Sequence, residues 1–558
     1  MKKRFLFTWL AGTAFLLAAC AAAAPAPAAT EAPASEQSGR DRQPEYEAAA
    51  TEEPMEEWVE TEAPPEDWVE ATESVEEIEA PLAYVPPEET NLLVPTATAA
   101  PAAPPDAMFF QDYGTNPFVD ASADNLSTFA VDVDTGSYTL ARSYLNDGYR
   151  PPPEAIRLEE FVNYFEQDYP LPQQDAFNIL IEAAPVPFTA EQTLVMRVGL
   201  QGYDVPDEQR PDATLIFVID ISGSMNRENR LGAVKEALYA LLDGLRPTDQ
   251  VGIVVYGSRG RVILEPTPLS KHNRVQRAIN KLRPGGSTNA EEGLRLAYEM
   301  ATANYDSERI NRLVLCSDGV ANVGNTGPDS ILETVRQQAR DGITLTTVGF
   351  GLGNYNDVLM EQLADDGDGT YHYVDSQSEA RRLFVEGLTG TLLTIAKDAK
   401  VQVDFNPQVV TAYRLMGYEN RNVADQDFRN DEVDAGEIGA GHSVTALYEI
   451  VLSEQVQPND VVATVRMRWE DPETGQVTEI AKALTPQEVA GAFEQASARF
   501  RLDVAVAGFA DELGQGAWAQ NADLAQVLAL AQTAAAELPN DPDVQELVRL
   551  IELAMHVR

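Results

Sequence analysis

From residue 213 to about residue 390 the sequence alternates continuous apolar runs with amphipathic segments, and this alternation constrains the fold more than any other feature. The apolar runs include Leu215–Ile219, Val251–Tyr256, Leu313–Cys316 and Ile343–Phe350. Runs that are apolar on both faces and are separated by helices are typical of a mainly parallel sheet with both faces covered. We therefore predict an α/β fold for this segment, with a doubly wound, mainly parallel sheet.

On both sides of this segment the apolar period changes to two. Residues 177–181 and 194–200 alternate in this way before it, and residues 401–405 and 463–469 do so after it. This period is typical of half-buried antiparallel strands. We hypothesise that the two flanks form one β-sandwich into which the α/β segment is inserted.

Helices are predicted at both ends of the folded region. Periodic apolar residues predict helices over Ser137–Leu145 and Ile156–Phe165 near its start. Near its end, the capping-box pattern of Thr485–Glu488 predicts that a helix begins there, and Asp541–Pro542 marks the start of the last helix.

The first twenty residues have the pattern of a secretory signal. Lys2–Arg4 is basic, Phe5–Leu17 is apolar, and the chain continues as Leu-Ala-Ala-Cys to Cys20. The apolar stretch is too short for a spanning helix to be the first interpretation. Leu-Ala-Ala-Cys resembles the bacterial lipobox, which implies that Cys20 is lipidated after cleavage. An ordinary cleaved signal peptide is the alternative.

The charge of the chain restricts its partners. A formal net charge of −49 argues against nucleic acid and against electrostatic docking on anionic lipid. Much of this charge lies in residues 21–106, which are rich in Ala, Pro, Thr and Glu and contain Arg40 and Arg42 as their only basic residues. Because such a composition cannot bury enough apolar surface to fold, we predict a disordered acidic linker between the lipid anchor and the folded region.

Oxygen-bearing side chains follow the apolar run that ends at Ile219. They are Asp220, Ser222 and Ser224. Ligands bind at the carboxyl ends of strands in such sheets, so we expect Thr288, in a glycine-rich turn, and Asp318, directly after its strand, to lie near them. Carboxylates beside hydroxyls form a hard oxygen cluster that suits Mg²⁺, Mn²⁺ or Ca²⁺ rather than zinc.

Taken together, these five residues resemble the metal-ion-dependent adhesion site of von Willebrand factor type A (VWA) domains, over roughly residues 213–390. The resemblance implies that the hydroxyls of Ser222, Ser224 and Thr288 bind the cation directly, and that the two aspartates bind it directly or through water. It also implies Mg²⁺ as the first expectation, and a protein partner whose Asp or Glu carboxylate completes the metal shell.

The resemblance extends to a group of bacterial VWA lipoproteins. Residues 116–120, 127–138 and 157–165 resemble the N-terminal region of that group, and residues from about 390 onward resemble its C-terminal domain of unknown function. These matches divide the chain into a signal peptide (1–20), a linker (21–106), an N-terminal region (107–212), the VWA domain (213–390), a β-rich region (391–484) and a helical region (485–558).

Other motifs give weaker signals. Asp132 and Asp134 lie in a loop that faintly resembles that of haloacid-dehalogenase-type phosphatases, where they would serve as nucleophile and acid/base. A turn in which Asp134 or Thr135 caps the next helix is the alternative. Asp365–Gly369 hints at a calcium loop but lacks its closing Glu, so a turn before the next strand is favoured. Cys316 lies in an apolar run and is expected to be buried and inert.

The sequence thus predicts a non-enzymatic, lipid-anchored protein at the extracytoplasmic face of a bacterial cell envelope. We expect it to bind a protein partner through a divalent cation. The alternative is a structural or assembly scaffold of an envelope complex, in which the flanking domains make the main contacts and the cation site is a minor stabiliser.

Overall fold

The computed structural model describes residues 108–131, 133–187, 193–319, 328–352, 355–518 and 523–557. The predicted signal segment with Cys20, the predicted acidic linker and Asp132 lie outside the described residues. Within those ranges, no helix is long and apolar enough to cross a membrane.

Strands and helices of the described residues are numbered separately in chain order. The strands are β1 (Val119–Asp120), β2 (Leu126–Ala130), β3 (Phe177–Pro185), β4 (Thr193–Gly202), β5 (Ala213–Asp220), β6 (Gln250–Tyr256), β7 (Arg261–Pro268), β8 (Ile310–Ser317), β9 (Thr344–Phe350), β10 (Tyr371–Val374), β11 (Thr394–Phe405), β12 (Val410–Met416), β13 (Gly436–Gly439), β14 (Ser443–Leu452), β15 (Ala463–Glu470) and β16 (Val477–Leu484). The α-helices are α1 (Gly136–Asn146), α2 (Leu158–Asn163), α3 (Arg230–Gly244), α4 (His272–Lys281), α5 (Ala290–Ala303), α6 (Pro328–Arg340), α7 (Asp357–Asp365), α8 (Gln377–Arg381), α9 (Leu388–Leu392), α10 (Ala498–Gly514), α11 (Leu524–Glu537) and α12 (Pro542–Ala554).

The two flanks pair with each other in a β-sandwich. One antiparallel sheet has the order β1-β12-β14-β4-β3, in which β4 from before the insert pairs with β14 from after it. In the other sheet β11 pairs with β15 along one edge and with β2 and β13 along the other. Apolar side chains of both sheets, such as Met196 and Val401, pack into one core. The hypothesis that the flanks form one sandwich is confirmed by these ladders.

The insert has a six-stranded sheet in the order β10-β9-β8-β5-β6-β7. Neighbouring strands are parallel, except that β7 is antiparallel to β6 at the edge. Helices α3, α4, α8 and α9 cover one face, and α1, α5, α6 and α7 cover the other. Because both faces are covered, β5 is buried along its whole length. The predicted doubly wound sheet is therefore confirmed.

Helices α10–α12 form a layer on the outer face of the first sheet, where they pack with α1, α2 and residues such as Val195 of β4. Helix α1 connects this layer to the insert. Its Tyr138 and Leu145 lie in the helical core, whereas Leu140 and Tyr144 pack against the insert. A helix that contacts two bodies must be apolar on more than one face, which explains why most of α1 is buried.

Two helix predictions need correction. Thr485 and Glu488 form the expected capping box, but it closes only one 3₁₀ turn, and the long helix α10 begins at Ala498 with Ser497 as its cap. The predicted helix Ile156–Phe165 is shorter, Leu158–Asn163, because a separate 3₁₀ turn precedes it.

Strand β4 is also buried more completely than its alternation predicts. All ten of its residues are buried instead of every second one. The helical layer covers the face that was expected to meet water, and the polar residue Arg197 on that face pairs with Asp503 of α10 at 2.9 Å. A buried ion pair therefore takes the place of solvent on this face.

Candidate metal site

The two aspartates of the predicted site lie at the carboxyl ends of neighbouring strands. Asp220 ends β5, and Asp318 directly follows β8, the parallel neighbour of β5. The register pairs Ile219 with Cys316, so both carboxylates emerge at the same edge of the sheet. Their residues are 0 % and 3 % exposed. The strand order thus brings together two acidic residues that are 98 positions apart in the sequence.

Hydrogen bonds join the serines to both aspartates. The Ser222 N–H donates to Asp220 Oδ1 at 2.7 Å. The hydroxyls of Ser222 and Ser224 are 2.9 Å apart, and Ser224 Oγ donates to Asp318 Oδ1 at 3.1 Å. Four of the five predicted ligands therefore form one continuous cluster.

The fifth, Thr288, is positioned by its loop. The Gly223 N–H donates to the Gly286 carbonyl at 3.0 Å, which brings the glycine-rich turn against the serine loop. Gly286 has φ +102°, and a Cβ there would lie 2.6 Å from Ser258 Oγ, so the turn requires glycine. Thr288 follows two residues later and is half-buried. Within the described ranges its hydroxyl makes no hydrogen bond, which leaves it available to a ligand.

The spacing of these oxygens fits a small hard cation. Adjacent ligands of an octahedral ion with bonds of 2.0–2.1 Å are about 3.0 Å apart. The distance between the Ser222 and Ser224 hydroxyls, 2.9 Å, and the distance from Ser224 Oγ to Asp318 Oδ1, 3.1 Å, agree with this value. In the described part of the chain, no three His, Cys, Asp or Glu side chains are grouped so that they could hold a metal ion. A cation site at this edge therefore depends on hydroxyl ligands.

The two carboxylates differ in their electrostatic surroundings. Burial, with a smaller contribution from the nearby Asp318, raises the pKa of Asp220 to about 6, against the opposing effect of the Ser222 hydrogen bonds. Asp318 has a counter-charge, since Arg230 Nη1 donates to its Oδ2 at 2.8 Å. The Arg230 guanidinium also donates to the Leu352 carbonyl in the loop after β9. The site thus holds one compensated and one uncompensated carboxylate.

Sequence reasoning missed two residues of this site. Ser317 Oγ donates to Asp220 Oδ2 at 3.2 Å and accepts the Gly319 N–H at 3.1 Å. Its position directly before Asp318, at the end of a strand, was a usable signal. No local sequence signal indicates Arg230, because its position beside Asp318 depends on the left-handed conformation of Asn229 (φ +57°), where α3 starts.

The rival phosphatase loop has a structural role where it is described. Asp134 is buried, and its Oδ1 accepts the Tyr371 N–H at 2.8 Å. Thr135 occupies the N-cap position of α1, but its side chain makes no cap hydrogen bond. The Glu160 carboxylate accepts the Ser137 N–H instead, at 2.7 Å. Thr135 is therefore at the predicted cap position, but the expected cap by its side chain is wrong.

Two other structural expectations are confirmed. Helix α7 ends at Asp365, and the following residues form the turn that leads into β10, with Asp368 paired to Lys397 at 2.6 Å. Cys316 is 2 % exposed, and burial raises the pKa of its thiol to about 12. A thiol that stays protonated and covered is a poor nucleophile.

Known families cover nearly all of the described chain. Residues 214–386 match the von Willebrand factor type A domain, residues 104–196 match a von Willebrand factor model, and residues 390–557 match the C-terminal domain of the uncharacterized protein YfbK. The uncharacterized protein YfbK of Escherichia coli (strain K12) is 36% identical over 483 residues, which are 82% of this chain and 83% of that protein. The chain belongs to the YfbK family. As a YfbK-family protein it contains a VWA domain, and VWA domains commonly mediate protein–protein interaction.

More distant similarities involve parts of the chain. The uncharacterized protein sll0103 of Synechocystis sp. is 26% identical over 306 residues, which are 53% of this chain and 70% of that protein. Among solved structures, a von Willebrand factor type A protein from Catenulispora acidiphila aligns with a TM-score of 0.41 and 15% identity, covering 69% of this chain and 91% of that one.

Proposed function

We propose that this protein is a lipid-anchored envelope protein that binds a protein partner through a divalent cation. Asp220, Ser222, Ser224, Thr288 and Asp318 would hold the cation, with Mg²⁺ first and Mn²⁺ or Ca²⁺ as alternatives. The observation that carries the proposal is the chain of oxygens at 2.9 and 3.1 Å between two strand ends. Three neutral hydroxyls leave the cation electrophilic, so a carboxylate of the partner is attracted to it.

The surroundings of the serines favour binding over nucleophilic catalysis. The Ser222 and Ser224 hydroxyls bond to each other and to Asp318, whose other oxygen is held by Arg230. Among the described residues, no imidazole lies within hydrogen-bond distance of either hydroxyl to act as a base. Nucleophilic serines depend on such a base.

The proposed location depends on the sequence around Cys20. The basic, apolar and Leu-Ala-Ala-Cys segments support a lipid anchor on the extracytoplasmic face. The acidic linker of residues 21–106 would separate that anchor from the VWA domain, so the metal edge can meet partners away from the bilayer.

Affinity capture from the native envelope tests the proposal. The full chain is crosslinked in Mg²⁺, in EDTA, and after Mg²⁺ is restored, with Asp220→Ala beside the wild type. Asp243→Ala, an exposed position on α3, is the matched control. We expect partners that are lost in EDTA, regained with Mg²⁺, absent with Asp220→Ala and kept with Asp243→Ala. Partners unaffected by EDTA and by Asp220→Ala would contradict the proposal and favour a scaffold that uses the flanking domains.

A further inference from the structure

Residues 259–283 form a basic island in an acidic protein. They contain seven Lys or Arg and a single acidic residue, Glu265, whereas the whole chain has 40 basic and 89 acidic residues. All seven basic residues are exposed. We call them the basic face: Arg259, Arg261, Lys271, Arg274, Arg277, Lys281 and Arg283.

The basic face is continuous with the candidate metal site. Arg283 lies two residues before Gly285, whose N–H donates to the Ile221 carbonyl in the serine loop at 2.6 Å. Arg259 follows Ser258, whose Oγ accepts an N–H of the glycine-rich turn at 3.0 Å. Two members of the face thus lie within two residues, along the chain, of groups that contact the loops of the predicted ligands.

Helix α4 extends the face away from the metal edge. Its Val275 and Ile279 are buried in the core of the insert. Arg274, Arg277 and Lys281 are spaced by three and four residues, which places them on one exposed stripe of the helix. The ten residues of α4 span about 15 Å, and its carboxyl end leads into the glycine-rich turn.

The charges of this face have no counter-charge among the residues that the structure describes. Within the described residues none of the seven forms an ion pair, and Arg277 and Arg283 donate to backbone carbonyls of their own segment. Arginines elsewhere behave differently, since Arg142 contacts three carboxylates and Arg197 contacts two. Like charges at this helical spacing repel each other. An external anion would remove that repulsion.

We propose that the basic face and the metal site together bind one acidic polypeptide. One carboxylate of the partner reaches the cation, and further acidic residues lie along the α4 stripe. The inference rests on the proposed function for the cation and adds the charge and direction of the partner segment. A polypeptide fits better than an anionic membrane, because the metal edge calls for a carboxylate, which Asp and Glu side chains supply.

Poly-L-glutamate is a suitable probe, with its binding to the full chain measured by fluorescence anisotropy in Mg²⁺ at low and at physiological ionic strength. The face variant is Arg274→Glu/Arg277→Glu/Lys281→Glu. The control is Arg340→Glu/Arg381→Glu/Arg549→Glu, which makes the same change of charge at exposed positions outside the face. We expect the face variant to weaken binding about tenfold or more and the control less than about twofold, and we expect wild-type binding to weaken with added salt.

Mn²⁺ binding by each variant separates this inference from the proposed function. The face variant should keep Mn²⁺ binding and a native circular-dichroism spectrum, whereas Asp220→Ala should lose Mn²⁺ binding and keep a salt-sensitive contact with the probe. If the triple variant is unstable, the single variant Arg277→Gln replaces it, and we expect it to weaken poly-L-glutamate binding to a smaller extent. Equal losses in the face and control variants would overturn the inference. So would tighter, face-dependent binding to phosphatidylglycerol vesicles than to poly-L-glutamate, which would assign the face to a membrane.

Discussion

The metal edge of the insert and its junction with the rest of the molecule use similar residues in opposite ways. At the junction, Arg142 of α1 lies 2.6 Å from Asp375, 2.8 Å from Glu379 and 3.0 Å from Glu546. It thereby joins the N-terminal region to the insert through two buried ion pairs and to α12 through a half-buried one. At the metal edge, Asp220 forms no ion pair among the described residues, and its carboxylate accepts from the Ser222 N–H and the Ser317 hydroxyl. The carboxylates at the junction thus have a guanidinium partner, whereas one of the two at the metal edge, Asp220, has none where we expect a ligand.

The largest expected effect is at the junction. Arg142→Met leaves Asp375 and Glu379 buried without their guanidinium, and removing one partner of a buried pair costs about 3–5 kcal/mol of the free energy of unfolding. Urea denaturation measures this loss, and Mn²⁺ binding should be unchanged. Arg549→Met, at an exposed pair on α12, should cost less than about 1 kcal/mol. A loss below about 1 kcal/mol for Arg142→Met would remove the contrast between the two regions.

A second buried ion pair, between Arg197 and Asp503, allows the same kind of test through the pH dependence of stability. Burial raises the pKa of Asp503 to about 6, although Arg197 and Gln167 donate to its carboxylate. The folded protein therefore holds this proton more tightly than the unfolded chain, and ionisation of Asp503 lowers stability as the pH rises from about 4 to about 6.

The variant Asp503→Asn isolates this contribution. The wild type should lose up to about 3 kcal/mol relative to the variant across that pH window, and the difference should stay constant above it. Denaturation at a series of pH values measures the difference. Parallel pH profiles of the two proteins would show that the Arg197 pair, and not burial, determines the ionisation of Asp503.

At the metal edge, Asp220→Ala should reduce cation affinity about 100-fold, or about 2.7 kcal/mol. The carboxylate is the uncompensated charge of the site, so its loss removes most of the attraction for the cation. In the metal-free protein the same change removes a charge that burial disfavours, but it also leaves the Ser222 N–H without its acceptor, so we expect a net cost of no more than about 1–3 kcal/mol of the free energy of unfolding. Mn²⁺ titration followed by electron paramagnetic resonance gives the affinity, with Asp243→Ala as control. Unchanged affinity would place the cation elsewhere.

Ser224→Ala should have the smallest of these effects, a loss of about tenfold in Mn²⁺ affinity. It removes one neutral ligand and leaves Asp318 Oδ1 without its hydroxyl partner. Ser287→Ala, at an exposed serine in the adjacent turn, is the control and should bind as the wild type does. Equal affinities of the two variants would mean that Ser224 is a structural hydroxyl only.

The parts that sequence predicts well are those in which a residue's neighbours are close in sequence or follow from strand order. The apolar runs place β5 and β8, and strand ends place Asp220 and Asp318. Contacts between residues that are distant in the sequence cannot be predicted in this way. Nothing in the sequence pairs Arg142 with Asp375, because that contact depends on how α1 packs across two bodies.

Local signals can also be correct and still mislead. The capping box at Thr485 forms, yet only one turn follows it, because the chain then crosses to the site where Ser497 starts α10. The net charge hides the basic face in the same way, because a total for the whole chain does not report the local charge of the α4 surface. In both cases the tertiary fold determines what the local pattern becomes.

Water-proton relaxation of bound Mn²⁺ tests the central claim most directly. The account predicts that the full chain binds Mn²⁺ at the Asp220 edge with exchangeable water still in its shell. It also predicts that added poly-L-glutamate lowers the relaxation enhancement, because a carboxylate replaces that water. No Mn²⁺ binding, or the same enhancement with Asp220→Ala, would contradict the cation site. An enhancement unaffected by the polyglutamate would contradict an open position for a partner.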